Sequence, residues 1–351
     1  MSLITIVIWV AGVLPIAVTV LPLWRTDARW VRVWDFPRLQ IAVLLIVVFV
    51  AAAGFLESQP WNWTFMALML ASLLWQVSRI LPFLPVYPIQ AKASEHCAPD
   101  ASLTIITSNI LIENRDAESI LGMIRARRPD VVLLIETDDW WDSQLRGLEK
   151  DYPFFLRHPK PNAYGMHLYS RLPLIDPQVR YQVEDDVPSI KSRLRLRCGV
   201  EVMLYCLHPK PPPQSDTADR DAELILTARE IKGDKRPTIV IGDMNDVAWS
   251  RTTHLFQKIS GLLDPRIGRG MFSTFHAHWR FLRWPVDHVF FEKSFLLSDL
   301  VVLPAVGSDH FPLYVALCFQ PETGERQESP EASADDREQA HDIVEKAEEK
   351  D

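Results

Sequence analysis

The 351-residue sequence lacks the short motifs that identify several common enzyme classes. It contains no GxxxxGK[ST] phosphate loop and no GxSxG nucleophile motif, which argues against P-loop nucleotide hydrolases and α/β-hydrolases. Its four cysteines form no CxxC pair and no zinc spacing. Cys198, Cys206 and Cys318 lie in strand-like runs, so we expect them to be small buried hydrophobic residues. Free cysteines favour a reducing compartment.

The chain also lacks the basic charge that duplex-binding proteins usually carry. Its formal charge is −8, and residues 320–351 hold twelve acidic and four basic residues, which accounts for all of it. Residues 1–94 carry +3 and residues 95–319 carry −3, so the body of the protein is close to neutral. We expect residues 320–351 to form a disordered acidic tail.

Residues 1–81 have the composition of a membrane region. The stretches 3–23, 39–56 and 61–80 are apolar and long enough to cross a bilayer as helices. The first loop holds Arg25, Arg29, Arg32 and Arg38, whereas the second holds no basic residue. By the positive-inside rule, the domain after the third span is cytoplasmic, in an inner cell membrane, with the extracytoplasmic side as the alternative. Four prolines in 82–100 indicate a linker.

From residue 101 the pattern alternates short apolar strands with turns and a few helices. Strands are predicted at 103–108, 131–135, 164–170, 193–198, 202–207, 238–241, 286–291 and 313–317, and helices at 117–127 and 218–231. Such a mixture over 101–319 indicates one α/β domain of two packed sheets flanked by helices.

Polar side chains stand at the ends of these strands. In PTIVIGDMND (237–246), a β-branched run meets Gly242 and is followed by Asp243 and Asn245. A capped turn would explain that segment alone. The full set is larger, and it comprises Asn109, Glu136, His208, Asp243, Asn245, Asp287, Asp309 and His310. Carboxylates, amides and imidazoles suit a hard cation such as Mg²⁺ or Mn²⁺.

Seven sequence blocks, taken in order, resemble the endonuclease/exonuclease/phosphatase superfamily of DNase I-like proteins. They are TSN (107–109), LLIET (133–137), LYSRLPL (168–174), LHPKPP (207–212), IGDMND (241–246), PVDHVF (285–290) and GSDHFP (307–312). The resemblance covers 101–319 and implies a four-layered α/β sandwich, with two mostly antiparallel sheets, that hydrolyses a phosphoester with Mg²⁺. Abasic-site nucleases have an acid or amide where this chain has Leu111, which argues against a DNA-repair enzyme.

The resemblance implies a metal site and a water-activating group. Glu136 matches the metal-binding glutamate, Asn109 the amide beside it, and Asp309 the acid next to the metal. Asp243 would position or deprotonate the attacking water. Asn245 would hold a phosphoryl oxygen. In-line attack by water needs a metal, cationic donors and an oriented water, which this set would supply.

The resemblance also assigns the two histidines. His208 and His310 match residues that contact the scissile phosphate and stabilise its developing charge, and Asp287 matches the aspartate that orients His310. A carboxylate behind an imidazole fixes its tautomer and favours its charged form.

Two flanking features bear on the substrate. The basic residues of 191–197 alternate with other residues, and a solvated sheet face is the simpler interpretation, ahead of phosphate or membrane contact. Trp141, Phe281 and Trp284 could contact acyl or prenyl chains, stack on bases, or pack in the core.

The sequence therefore predicts a membrane-anchored Mg²⁺-dependent phosphoester hydrolase, with a lipid-linked phosphate favoured as substrate. The first alternative is a metal-dependent nuclease that cleaves DNA or RNA. The second is a non-catalytic membrane protein whose hydrolase-like domain binds a partner.

Overall fold

The structure is a computed structural model that describes residues 2–211, 216–324 and 326–349. The last residue of the LHPKPP block, Pro212, lies outside the described residues, as do Glu325, Lys350 and Asp351 of the acidic tail.

The N-terminal region contains three long apolar helices. They are α1 (Leu3–Val20), α3 (Arg38–Phe55) and α4 (Pro60–Ile80), and a short helix, α2 (Arg29–Arg32), lies between the first two. Each long helix has the length and apolar composition needed to cross a membrane. Leu45, Phe65 and Met69 are buried where the helices meet, whereas Val10 and Val50 face outward. An apolar outer surface of this kind is typical of helices that contact lipid, and the region is therefore membrane-associated.

The remainder of the chain forms two mixed sheets. The strands of the first sheet are β1 (Ser102–Asn109), β2 (Val131–Ile135), β3 (Phe154–His158), β4 (Met166–Ser170), β10 (Phe295–Val302) and β11 (Leu313–Phe319). Those of the second are β5 (Leu174–Arg180), β6 (Ser189–Arg195), β7 (Glu201–Leu207), β8 (Thr238–Asp243) and β9 (Asp287–Phe291). The first sheet has the order β10-β11-β1-β2-β4-β3, and the second has the order β5-β6-β7-β8-β9.

Helices cover the outer face of each sheet. They are α5 (Ala117–Arg127), α6 (Asp139–Leu145), α7 (Ala218–Gly233), α8 (Arg251–Ser260), α9 (Pro321–Gly324) and α10 (Ala334–Glu348). Because strand side chains alternate in direction, Ile105 and Leu133 pack between the sheets while Val132 and Leu134 pack under α5 and α6. The predicted four-layered α/β sandwich is confirmed.

The first interhelical loop, residues 24–37, packs against this domain. Asp35 forms ion pairs with Arg32 at 3.0 Å and with Arg38, and all three side chains are buried. The carbonyl oxygen of Asp35 accepts a hydrogen bond of 2.7 Å from Nε1 of Trp249. Arg32 donates to Thr252 at 3.2 Å. Arg32 and the carbonyl of Asp35 thus hold the loop on this domain, while Arg38 ties Asp35 to Gln76 of α4.

The expectation of a disordered tail differs from the structure. Residues 334–348 form α10, which begins with a capping box between Ser333 and Asp336. Ala340, Ile343, Val344 and Ala347 recur at helical spacing and are buried against α7 and α8. The acidic composition of the segment predicted disorder, although its few apolar residues share one face of a helix and its charged residues occupy the opposite face.

The linker and two of the cysteines also differ from expectation. Residues 90–97 lie along the domain, where Ala91 is fully buried and the amide of Ser94 donates to the carbonyl of Leu297 at 2.8 Å. Cys97 forms a disulfide with Cys318, and Cys198 is exposed rather than buried. Of the three cysteines predicted to be buried hydrophobic residues, Cys206 alone is both free and buried. Pairing across 221 residues leaves no spacing signal in the sequence.

Candidate active site

The topology brings the predicted site residues to one edge of the sandwich. β1 is parallel to β2 in the first sheet, β7 is parallel to β8 in the second, and a hydrogen bond from Asn109 to Asp243 shows that the carboxyl ends of β1 and β8 meet at one edge. Asn109 ends β1 and Asp243 ends β8, while His208 directly follows β7. β9 is antiparallel to β8, and its register pairs Asp287 with Asp243. Residues scattered over 200 positions of sequence are thereby made neighbours.

Seven of the eight predicted residues line one cleft of about 840 Å³. The seven are Asn109, Glu136, His208, Asp243, Asn245, Asp309 and His310. The eighth, Asp287, is buried behind His310 and reaches the cleft through that imidazole.

Asn109 connects two carboxylates at the floor of the cleft. Its Nδ2 donates to Oε1 of Glu136 at 2.8 Å and to Oδ2 of Asp243 at 3.2 Å. The other oxygen of Glu136 accepts from the amide of Ile112 at 3.2 Å. Burial raises the pKa of Glu136 to about 7, more than these neutral donors lower it. Burial likewise raises the pKa of Asp243.

The backbone is strained at two of these positions. Glu136 has φ of 65° and Asn245 has φ of 50°, in the left-handed region that ordinary residues avoid. Such conformations cost on the order of 1–3 kcal/mol each and concentrate at functional sites. Between them, Gly242 has φ of 142°, and a Cβ there would lie 1.9 Å from the carbonyl oxygen of Leu207. Only glycine allows β7 and β8 to approach this closely.

His310 is held in its charged form. Burial alone would lower its pKa, but Asp287 and Asp243 together raise it to about 10. Nδ1 of His310 lies 2.8 Å from Oδ2 of Asp287, and Nε2 lies 3.6 Å from Oδ2 of Asp243. The imidazolium therefore places a positive charge beside the carboxylate that ends β8.

His208 has the opposite protonation state. Burial lowers its pKa to about 4, so the ring is neutral at pH 7. Its Nδ1 atom is buried without a hydrogen-bond partner among the described residues. The family resemblance predicts that His208 and His310 both stabilise the charge on the phosphate. In this structure His310 is protonated and His208 is neutral. A neutral imidazole with a free nitrogen can still donate to or accept from a bound phosphate.

The donor set fits a divalent cation of the hard type. Desolvation raises the pKa of the partly buried Glu136 and of the buried Asp243 despite the nearby His310, and an oxygen-preferring cation would favour the charged form of both carboxylates. Asp309 lines the same cleft. The amide oxygen of Asn109 accepts from the backbone amide of Leu111 at 3.1 Å, and its Nδ2 holds both carboxylates, while its expected place at the metal stays a prediction.

Sequence reasoning missed a buried arginine that supports the catalytic loop. Arg220 of α7 donates to the backbone carbonyl of Asn245 at 2.8 Å. The same guanidinium pairs with Asp221 at 2.6 Å and with Asp246 at 3.4 Å, and all of these side chains are buried. The only signal in the sequence was an arginine in an otherwise ordinary helix pattern.

The cleft also has a wall that the domain boundaries did not predict. Trp30, Val33 and Phe36 from the first interhelical loop line it, facing Phe275 and Trp284 of the catalytic domain. Tyr164 contributes to the same lining. Residues between the first two long apolar helices thus form part of the cleft.

The structure also places the basic residues of 191–197 and the aromatic residues that were considered as substrate contacts. Lys191, Arg193, Arg195 and Arg197 each form an ion pair with an acidic side chain, which agrees with the simpler interpretation of a solvated sheet face. Trp141 is fully buried under the first sheet, so its proposed contact with a substrate chain is wrong. Trp284 lines the cleft, and Phe281 is exposed.

Comparison with solved structures shows the fold. The catalytic domain of human Nocturnin, with bound sulfate, is 18% identical with a TM-score of 0.52, covering 63% of this chain and 95% of that one. TDP2 from D. rerio, complexed with a single-strand DNA product, is 15% identical with a TM-score of 0.52, covering 62% and 99%. An endonuclease/exonuclease/phosphatase from Bacteroides vulgatus is 17% identical with a TM-score of 0.51, covering 62% and 99%.

Comparison with sequence families gives the class. No curated protein matches the chain. The family model described as "Endonuclease/Exonuclease/phosphatase family" matches residues 106–310, which is more than half of the chain. Members of this superfamily are metal-dependent phosphodiesterases, nucleases or phosphatases. The chain therefore belongs to the endonuclease/exonuclease/phosphatase family and is a metal-dependent phosphoester hydrolase.

Proposed function

We propose that the protein hydrolyses a phosphoester carried by a lipid of the membrane in which it is anchored, with Mg²⁺ or Mn²⁺ as cofactor. The observation that carries this proposal is the shared wall of the cleft. Glu136, Asp243 and His310 lie in one cleft with Trp30 and Phe36, which belong to the loop between two apolar helices. A substrate that reaches the catalytic groups there also contacts the loop that joins two of the apolar helices.

The residues divide into a cation side and a phosphate side. Glu136, aided by Asp309, would hold the cation, which when bound neutralises charge on the phosphoryl oxygens. Oδ1 of Asp243 accepts from the amide of Asn245 at 2.9 Å, and Oδ2 accepts from Asn109. Asp243, so oriented, accepts the proton of the attacking water as the oxygen–phosphorus bond forms.

The phosphate side stabilises the charge that develops as the bond to the leaving group breaks. His310 is a protonated donor fixed by Asp287, and His208 offers a free ring nitrogen. The ligand atoms of Asp243, Asp287 and His310 lie within 4.8 Å of one another, a spacing that would also suit an ion. Because His310 is protonated and hydrogen-bonded, we assign this trio to proton and phosphate chemistry.

The electrostatics support a membrane substrate over a nucleic acid. Residues 95–319 carry a net charge of −3, which offers no long-range attraction to a polyanion. The basic residues of β6 are already paired with acids. A tethered enzyme also meets membrane substrates at high effective concentration.

The disulfide supports an extracytoplasmic catalytic domain. Disulfides persist in oxidising compartments and are rare in the cytosol, and Cys97 and Cys318 join the linker to the last strand of the first sheet. The arginine count of the first loop predicts the cytoplasmic side. However, Arg32 and Arg38 are buried in ion pairs with Asp35, so the folded structure needs them whichever side the loop occupies.

The test is a substrate panel for the full-length protein in nanodiscs with Mg²⁺. Phosphatidic acid, a polyprenyl phosphate and sphingomyelin represent membrane phosphoesters, and plasmid DNA and a dinucleotide represent the alternative. We expect at least one lipid to be turned over tenfold or more faster than DNA. Nicking of DNA at a rate equal to that of the best lipid would favour the nuclease instead.

A further inference from the structure

The cleft has two chemically different ends. One end holds the carboxylates and imidazoles of the reactive set. The other is lined mainly by the apolar surfaces of Trp30, Val33, Phe36, Leu282 and Trp284, with Arg29 as its charged residue and the indole N–H of Trp284 as a polar group. A phosphate bound at the first end would have its substituent directed along an apolar wall.

The apolar end lies beside the membrane helices. Nε2 of Gln40, in the first turn of α3, donates to the backbone carbonyl of Phe281 at 2.7 Å. This contact fixes the segment 276–284 against the end of a helix that is apolar enough to cross the bilayer. Phe281 is 84% exposed and Trp279 is 62% exposed on that segment. Exposed aromatic residues at the end of a span are typical of the membrane–water interface.

The aromatic wall is connected to the catalytic histidine. Phe36 packs edge-on against Trp284 with ring centroids 5.7 Å apart. Phe275 stacks on Trp284 at 6.2 Å and lies 4.8 Å from the ring of His310. The buried pairs of Asp35 with Arg32 and Arg38 hold the loop that supplies Phe36. The aromatic wall is therefore already formed before a substrate binds, and it is in contact with His310 at the phosphate end of the cleft.

We infer that the apolar end is a subsite for the hydrocarbon chain of a phosphate amphiphile, which enters sideways from the bilayer between residues 30–37 and 275–286. This inference rests on the proposed function and names its substrate class as a single-chain or prenyl-like phosphate. A cleft of about 840 Å³ holds the phosphate and the first part of a chain. The remainder of the chain stays in the lipid, next to Trp30 and Phe281.

The experiment uses the full-length protein in nanodiscs and hexadecyl phosphate that carries a diazirine in its chain. After irradiation, the labelled residues are mapped by mass spectrometry. We expect labels within 30–37 and 275–286, reduced tenfold by excess unlabelled hexadecyl phosphate and unchanged by methyl phosphate. Labels spread over outward-facing positions such as Val10 and Val50, insensitive to the competitor, would overturn the inference.

A matched pair of tryptophan variants separates the subsite from general contact with lipid. Trp30 is 58% exposed and lines the cleft, whereas Trp61 is 59% exposed in the first turn of α4, at the opposite end of the spans. Trp30→Ala is expected to reduce labelling of 275–286 at least threefold, and Trp61→Ala to leave it unchanged. Equal effects of the two variants would contradict the subsite. The competition measurement on the unaltered protein stands even where a variant fails to fold.

Failure of the subsite and failure of the proposed function give different results. Labelling of the cleft together with no hydrolysis of any lipid in the panel would refute the function and keep the subsite. Hydrolysis of a membrane lipid with no competed labelling in the cleft would refute the subsite and keep the function.

Discussion

Nδ1 of His310 donates a hydrogen bond of 2.8 Å to Oδ2 of Asp287, and both side chains are buried at the edge where β8 ends. The pair explains how an imidazole can stay protonated in a buried site. Without the two aspartates, burial would lower the pKa of His310, whereas with them the pKa rises to about 10. The positive charge of His310 is therefore maintained by Asp287, which does not line the cleft, together with Asp243, which does.

Asp287→Asn should alter the pH dependence of turnover. The substitution removes the nearer of the two negative charges that keep His310 protonated. Because burial still lowers the pKa of His310 and less negative charge then opposes it, we expect that pKa to fall towards neutrality. We expect the variant to lose activity as pH rises from 7 to 9, while the unaltered protein keeps it because its His310 pKa is about 10. The measurement is kcat/KM against pH for both. Asp234→Asn, at an ion pair with Arg236 distant from the cleft, serves as control, and parallel profiles for all three would contradict the role of Asp287.

Arg220→Ala should impair both stability and turnover. It leaves Asp221 and Asp246 buried without their partner and removes the 2.8 Å hydrogen bond to the carbonyl of Asn245. Breaking a buried pair in this way costs about 3–5 kcal/mol, whereas Arg236→Ala breaks an exposed pair worth about 1 kcal/mol or less. Thermal unfolding and kcat are measured for both variants. An Arg220→Ala protein as stable and active as Arg236→Ala would show that the network is dispensable.

Glu223 should make the protein less stable as pH rises. Burial raises its pKa to about 8, and Oε1 has no hydrogen-bond partner among the described residues. A raised pKa means that the folded state holds a proton the unfolded state has lost, so stability is full below pH 4.5 and falls until about pH 8. The change amounts to a few kcal/mol, on the order of 1.4 kcal/mol per pKa unit.

Glu223→Gln removes that titration. The thermal midpoint of the unaltered protein should fall between pH 5 and pH 8 relative to that of the variant, and the two curves should converge near pH 4.5. If the difference between the midpoints is the same at every pH, then Glu223 does not titrate as the structure indicates.

The disulfide predicts the side of the membrane. An alkaline phosphatase fusion after residue 92 should be active, because this reporter works only in an oxidising compartment, the kind in which the Cys97–Cys318 disulfide of the full chain persists. Cys318→Ser should lower the free energy of unfolding by about 2–4 kcal/mol, the usual contribution of a native disulfide. An inactive phosphatase fusion, together with a fluorescent cytoplasmic reporter at the same position, would show that the domain is cytoplasmic, as the arginine count predicts.

The sequence predicted the strands that carry the chemistry because their composition is unambiguous. The β-branched run before Asp243 forms β8, and the apolar run before Glu136 is β2 at its predicted bounds. Strands β3 and β5 were missed because their residues are partly polar and exposed, and β10 was missed because Ser298 and Asp299 interrupt its apolar run. The eight site residues could be gathered from ordered sequence blocks, but their register and protonation depend on burial that sequence does not express.

The contacts between distant segments could not be predicted. Nothing in the sequence places Phe36 against Trp284, and nothing pairs Cys97 with Cys318. Trp141 stood close to Glu136 in sequence, yet it packs beneath the sheet because it lies one turn into α6 on the inward face. Proximity along the chain was a poor guide wherever a helix intervened.

The most direct test of the account is the rate of lipid phosphoester hydrolysis by the full-length protein in nanodiscs, followed through removal and return of the metal. The unaltered protein should lose activity in EDTA and regain it with Mg²⁺ or Mn²⁺. Glu136→Gln should reduce the Mg²⁺-restored rate by at least a hundredfold with an unchanged thermal midpoint in EDTA. Arg236→Ala should behave as the unaltered protein. Activity that persists in EDTA, or a Glu136→Gln protein that keeps the full rate, would contradict the assignment of this cleft as a metal-dependent active site.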